Sequence, residues 1–280
     1  VVKKSDGTLA TRMSSSLPPA PDTIRSLKSD LLLTSALCNC TSLPPAMIQS
    51  LLDNGYTIQN LIGFEVSLQD MLDAGLTVQD LLDGGLSIQY LLGEGLTIQY
   101  LLDGGQTPMN LYNAGVSLDS LYGKIYAGGL LFYLSANAGT GLVAAPPLWS
   151  GFEDPTAIWG CYGTNLPGAE GTAIGTGAQN TIDIIAGCQA TMAAGICGNL
   201  VLNGFNDWFL PSLDELNEMH LKIGFGATGP NENIADFRSY AYYSSSEFDS
   251  ENIRVQFFPA GNIEIYGKIS PFFIRPIRAF

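Results

Sequence analysis

The stretch GLTVQDLLDGGLSIQYLLGEGLTIQYLLDGG, Gly75–Gly105, states nearly the same ten residues three times. Aligned in tens from Tyr56, the second position is always Ser or Thr: Thr57, Ser67, Thr77, Ser87, Thr97, Thr107 and Ser117. The sixth is Leu or Met, from Leu61 and Met71 through Leu81 to Leu121. The tenth is glycine at Gly75, Gly85, Gly95, Gly105 and Gly115, with Gly55 closing the unit before and Glu65 the exception.

Each unit carries the marks of a helix that starts and stops within it. A Ser or Thr hydroxyl accepts from the free amides of a first helical turn. Asp70 and Asp80 stand three residues after Ser67 and Thr77, where a carboxylate completes a capping box and meets the positive helix end. The apolar residue before the cap (Tyr56, Val66, Leu76, Leu86, Leu96) is placed to staple onto the sixth-position side chain. The closing glycine can enter the left-handed region that ends a helix. A unit therefore reads as a helix of about six or seven residues and a tight turn. Helices shorter than about 12–15 residues are marginal alone in water, so the units must stack to bury their apolar strip. Residues 46–125 are expected to form a solenoid of these units, with atypical ends around Pro108, Tyr112, Tyr122 and Lys124. Gln59, Gln69, Gln79, Gln89 and Gln99 form a polar row, read either as a binding face or, more plainly, as the solvated side of a spacer. Tyr90 and Tyr100 are the residues that would make it more than a spacer. Residues 1–45, with the Pro/Ser-rich SSSLPPAPDT and CTSLPPAM, read as linker around one short helix from about Thr23.

Apolar residues make up 46% of the chain and charged ones 14%, so a sizeable core is available. The formal charge is −14, and no Lys or Arg occurs between Lys28 and Lys124. Nucleic-acid binding needs cations that displace counterions from phosphate, and anionic lipid attracts basic segments. Neither partner is expected, nor is membrane insertion, since no apolar run is long enough to cross a bilayer. The five cysteines, Cys38, Cys40, Cys161, Cys188 and Cys197, contain no CxxC pair and accompany a single histidine. That disfavours zinc and favours disulfides of an oxidising compartment. Cys161, Cys188 and Cys197 are the candidates; the odd total leaves at least one thiol unpaired within the chain, and the pairing is open.

After Tyr126 the period of ten stops. Short β-like runs follow (GGLLFYL, GLVAA, IRVQFF, NIEIYG, FFIRPIRAF), with a hairpin about Pro259–Asn262. Two helices are expected, one over about Asn180–Ala194 and one after Ser212, whose Glu215 stands three residues on. Residues 126–280 thus read as an α+β domain, and the whole chain as α+β. WGCYGT, GTAIGTGAQNT, GFNDWFLPSLDELN, YYSSSE and IRPIRAF, in that order, resemble the DUF1566 family, the C-terminal domain of Legionella collagen-like adhesins (Lcl-C). The resemblance implies a C-type-lectin-like fold in a secreted or surface-exposed bacterial protein, often following repeats and often oligomeric. It also implies a receptor-binding role; Tyr242, Tyr243, Glu247, Asn231, Asn233 and Asp249 are the candidate ligand contacts. Trp208 and Pro211 are expected to supply core bulk and to set the start of the second helix. Arg275 and Arg278 need acidic partners, and Glu215 and Glu247 are the expected ones.

No GxSxG is present, and His220 has no partner motif for a triad. Gly175 and Gly177 lack the third glycine of a dinucleotide loop and read as a turn before a helix. No enzymatic reaction and no cofactor are expected. Asn231, Glu232, Asn233, Asp236 and Asp249 offer oxygens that suit Ca²⁺, against the plainer reading of a polar surface loop. Sulfated glycans need clustered cations, and from Tyr126 onward six cations face fourteen acids. A neutral carbohydrate or a protein receptor fits better. The expected function is adhesion or recognition at a bacterial surface; the alternative is a structural subunit or tip of a multimeric fibre, on a cell surface, a phage tail or an injection system.

Overall fold

The computed structural model describes residues 42–188 and 192–280. The expected helix near Thr23, Cys38 and Cys40 lie outside the described residues. Two compact units divide after Leu96. The division falls inside the repeat, so its last three helices belong to the same unit as the sheets.

In the first unit, α1 (Pro45–Asp53) is followed by α2 (Ile58–Gly63), α3 (Leu68–Asp73), α4 (Val78–Asp83) and α5 (Ile88–Gly93). The hydroxyls of Thr57, Ser67, Thr77 and Ser87 each accept the backbone N–H three residues on. Full capping boxes form at Thr57 with Asn60 and at Thr77 with Asp80. Asp70 is buried and gives no reciprocal bond to Ser67, so the expected second Asp box is absent. Each helix ends in a paired closure: Gly75 N–H donates to Leu72 O (2.9 Å) and Leu76 N–H to Met71 O (3.1 Å), and the other units repeat this. Glu65 takes the same left-handed turn, with φ of 65°. The sixth-position residues Leu61, Met71, Leu81 and Leu91 are wholly buried. Contacts run between alternate units: α1 packs on α3, and Gln59 Nε2 donates to Gly84 O (3.3 Å). A Cβ at Gly84 would collide with Ile58, so the residue there must be glycine for the turns to approach.

The second unit opens with α6 (Ile98–Asp103), α7 (Pro108–Asn113) and the short α8 (Leu118–Leu121), capped in the same way by Thr107 and Ser117 after Thr97. Tyr122, at φ −62° and ψ 143°, then turns the chain into β1 (Ile125–Tyr126). Gln99 grips this strand through both amide atoms, donating to Ile125 O and accepting from Ile125 N–H, each at 2.9 Å. The glutamine row thus ties backbones together at Gln59 and Gln99, and bonds the aspartate one turn on at Gln69, Gln79 and Gln99.

One antiparallel sheet has the order β1, β2 (Gly129–Leu134), β3 (Gly141–Ala144), β9 (Ile277–Ala279). The other has the order β4 (Thr156–Ala157), β8 (Phe272–Phe273), β5 (Ala241–Glu247), β6 (Asn252–Phe257), β7 (Asn262–Gly267). Among the described residues only β5 and β8 pair in parallel. The β6–β7 hairpin turns where the sequence places it, with Phe257 opposite Asn262. The helix expected over Asn180–Ala194 is instead two, α9 (Gly177–Gly187) and α10 (Ala193–Gly198). Cys188 interrupts them in extended conformation. The second expected helix is α11 (Leu213–Ile223), with Ser212 and Glu215 in a reciprocal capping box. The core between the second sheet and α9–α10 gathers Trp159, Ile184, Leu210, Tyr243, Ile253, Val255 and Phe272.

Candidate functional site

The aromatic and acidic candidates on β5 face inward. Tyr242 and Tyr243 have no exposed surface and Glu247 is 1% exposed, so none offers a surface to a ligand. Tyr242 Oη donates to Asp154 Oδ2 (2.5 Å). The same carboxylate receives Arg275 Nε (2.7 Å), Arg275 Nη2 (2.6 Å) and Trp149 Nε1 (2.7 Å). Four donors on one buried carboxylate satisfy a charge that would otherwise be very costly away from water. Burial, then the Asp154 charge, pushes the Tyr242 phenol well above its usual range. Arg275 is therefore partnered by Asp154, not by Glu215 or Glu247. Glu247 instead takes Lys268 and the Leu166 N–H (2.9 Å). Lys268 adds Thr164 O (2.7 Å) and lies 5.0 Å from the Trp159 ring centroid. Arg278 pairs with the half-exposed Asp207 and lies over Phe205. Glu215 spends its two oxygens on Ser212 N–H (2.7 Å) and Gly175 N–H (2.8 Å). Its pKa is raised by burial, against the pull of those bonds. Trp208 and Pro211 are buried, and Pro211 O accepts the Ser245 N–H of β5 (2.7 Å).

The oxygen-rich set is also committed locally. Asn231 Nδ2 donates to Asp119 O (2.8 Å), and Asn233 Oδ1 accepts the Phe237 N–H (2.9 Å). Asp249 accepts the Glu251 and Asn252 N–H groups (2.8 Å each) in the β5–β6 turn. The Asn252 side chain, foremost, holds its carboxyl below the usual carboxylate range. Among the described residues no three His, Cys, Asp or Glu side chains gather where an ion could be held. His220 is buried against Phe258, wedged beside Gly226 and Gly261, and burial lowers its pKa.

Asn231 does border an open groove of about 500 Å³. Its walls are α8, through Asp119 and Ser120, the last turn of α11, through Leu221 and Lys222, and the loop from Gly226 to Asn231. The loop is pinned before any ligand arrives: Gly226 N–H donates to His220 O (3.0 Å) and Asn233 N–H to Gly224 O (2.9 Å). The Lys222 amine lies 5.5 Å from the Tyr122 ring centroid. Burial, with the charges of Glu218 and Asp119, raises the Tyr122 phenol to about 12. The groove thus combines one cation, hydroxyls from Ser120 and Thr228, and apolar patches from Leu221, Ala227 and Pro230. Lys222 and Thr228 carry no motif in the sequence; a lysine in a last helical turn is ordinary there.

Cys161 is joined to Cys188, and Cys197 is a buried free thiol whose pKa burial drives upward. No helix among the described residues is long and apolar enough to cross a membrane. Compared with known proteins, the chain matches no family model and no curated protein.

Proposed function

We propose that the chain is a non-enzymatic recognition module of the bacterial cell surface. Its second unit carries a C-type-lectin-like head that holds a neutral carbohydrate or a hydroxyl-rich receptor segment in the Lys222–Asn231 groove. The observation that carries this reading is the pinned, open groove with hydroxyl, amide and amine groups beside apolar patches, the mixture that sugar hydroxyls and C–H faces require. The lone Lys222 favours a neutral ligand over a sulfated one. The return of the last strand, β9, to pair with β3 near the start of the head supports the lectin-like fold, as does the resemblance of the ordered motifs to Lcl-C domains. The Cys161–Cys188 bridge supports an oxidising, extracellular setting.

The test is a panel of neutral and sulfated glycans on the full chain, with and without chelator, repeated with Lys222→Ala and with Thr228→Val. Saturable binding to a neutral glycan, weakened about tenfold or more by either substitution, is the expected result. Binding that both variants retain would place the ligand elsewhere. No saturable binding to any glycan would remove the carbohydrate reading.

A further inference from the structure

The open side of β7 carries a second surface, independent of the groove. Among the described residues, β7 ends the five-stranded sheet and pairs with β6 alone. Natural edge strands are normally protected by lysine, proline, a bulge or shortness. Asn262–Gly267 has none of these: its register with β6 is unbroken over all six residues, and Glu264 is its one charge. Ile263 and Ile265, each 50% exposed, stand two apart and so share one face. Glu264 and Tyr266 share the other, and burial followed by the nearby Glu264 charge raises the Tyr266 phenol.

We propose that β7 pairs antiparallel with β7 of a second copy of this chain, across a two-fold axis at Ile265. Charge selects the register. An axis at Glu264 sets two carboxylates directly opposite, which is destabilising. An axis at Ile263 sets Ile265 against the turn glycine Gly261 and leaves the far half of the strand unpaired. An axis at Ile265 sets Ile265 against the partner's Ile265, Ile263 against the partner's Gly267, and Glu264 against the partner's Tyr266. Four isoleucines then make one apolar strip on one face. On the other, each carboxylate lies opposite the partner's phenol. One six-residue strand edge buries less than the roughly 1,000 Å² of a stable interface, so the dimer is weak and forms on concentration. Each copy carries a formal charge of −14, so added salt strengthens it, opposite to the capture of a basic peptide.

The test is sedimentation equilibrium of the full chain up to about 500 μM at low and high salt, since small interfaces of this kind are weak. The expected result is a monomer–dimer equilibrium favoured by salt and weakened at least about tenfold by Ile265→Lys, which sets two lysines opposite each other. Single cysteines at 263 and 265, in a Cys38→Ser, Cys40→Ser background, read the axis directly. Oxidation should cross-link Ile265→Cys and leave Ile263→Cys without a cross-link. A monomer under all conditions, a dimer indifferent to Ile265→Lys, or cross-linking at 263 instead of 265 each overturns the proposal. Should Ile265→Lys fail to fold, the cysteine pair still decides. Loss of glycan binding by the groove variants bears on the other reading and leaves this one untouched.

Discussion

The ten-residue repeats and the sheet-bearing head solve the same problem with different chemistry. In the repeats, each helix is closed by neighbours within five residues: a hydroxyl cap, a left-handed turn and a paired carbonyl closure. Most acids stay outside, as the exposed Asp73, Asp83 and Asp103 do, while Asp70 is buried, and the core is a line of single apolar side chains. In the head, charges go inside. Arg275 reaches Asp154 across 121 residues, and Lys268 reaches Glu247 across 21. A local code tolerates many small losses. A non-local network of buried charges fails when one member is removed, because the remaining partner stays buried without compensation.

The largest expected effect is therefore in the head. Arg275→Ala strips two of the four donors from buried Asp154 and should cost about 3–5 kcal/mol. All three tryptophans lie after Leu96, so their fluorescence during urea unfolding reports this unit. A loss below about 1 kcal/mol, the worth of an exposed pair, would erase the contrast between the two regions. The matching change in the repeats is Leu81→Ala, at a wholly buried sixth position. It should cost about 2–5 kcal/mol, read in helical circular dichroism while the tryptophan transition stays in place. Equal shifts in both signals would show that the two units unfold together.

Much of the repeat could be read from sequence because its determinants are close together. Caps, closing glycines and sixth-position Leu or Met occupy one window of ten, so helix boundaries in the structure agree with the pattern almost residue by residue. The head was legible only where the same held, at the Ser212–Glu215 cap and the β6–β7 turn. β5 was not. Serine has little intrinsic preference for strands, and AYYSSSE is wholly buried because distant groups satisfy it. Ser244 Oγ donates to Arg254 O, and Ser246 Oγ donates to Gly171 O (2.7 Å each). The Arg275 partner was missed for the same reason, since nothing near Asp154 marks it out. Of the groove, only Asn231 stood out beforehand, as a candidate ligand contact and a calcium donor rather than for its bond to Asp119.

A smaller effect separates the regions by pH. His220, the single histidine, lies in the head with its pKa lowered from 6.5 by burial. The unfolded chain then binds the proton more readily than the folded one, so folding stability falls as pH drops below about 6.5 toward the folded pKa. A single proton limits the slope to about 1.4 kcal/mol per pH unit. The tryptophan-monitored stability should show this slope and lose it in His220→Gln. The repeats between residues 42 and 96 contain no histidine, and their circular dichroism should stay flat over the same range.

The smallest expected effect asks whether the turn geometry belongs to the glycine or to the stack. Glu65 holds φ at 65° where other units of the repeat place glycine, so its neighbours impose a conformation that a side chain resists. A left-handed residue with a Cβ costs about 1–2 kcal/mol, while glycine gives back about 0.5–1 kcal/mol through its freer unfolded chain. The strain relieved in Glu65→Gly is then worth about 0.5 kcal/mol to the first unit, set against the interaction that Glu65 itself makes. Gly75 provides the reverse experiment. A Cβ there meets nothing within 4 Å, so Gly75→Ala isolates the backbone term and should lose a similar amount. Opposite shifts of comparable size would mean that each turn carries its own conformational cost and the stack merely overrides it once. No gain at 65 beside a clear loss at 75 would mean that the Glu65 side chain contributes contacts of its own, making the one departure from the pattern a feature of the stack.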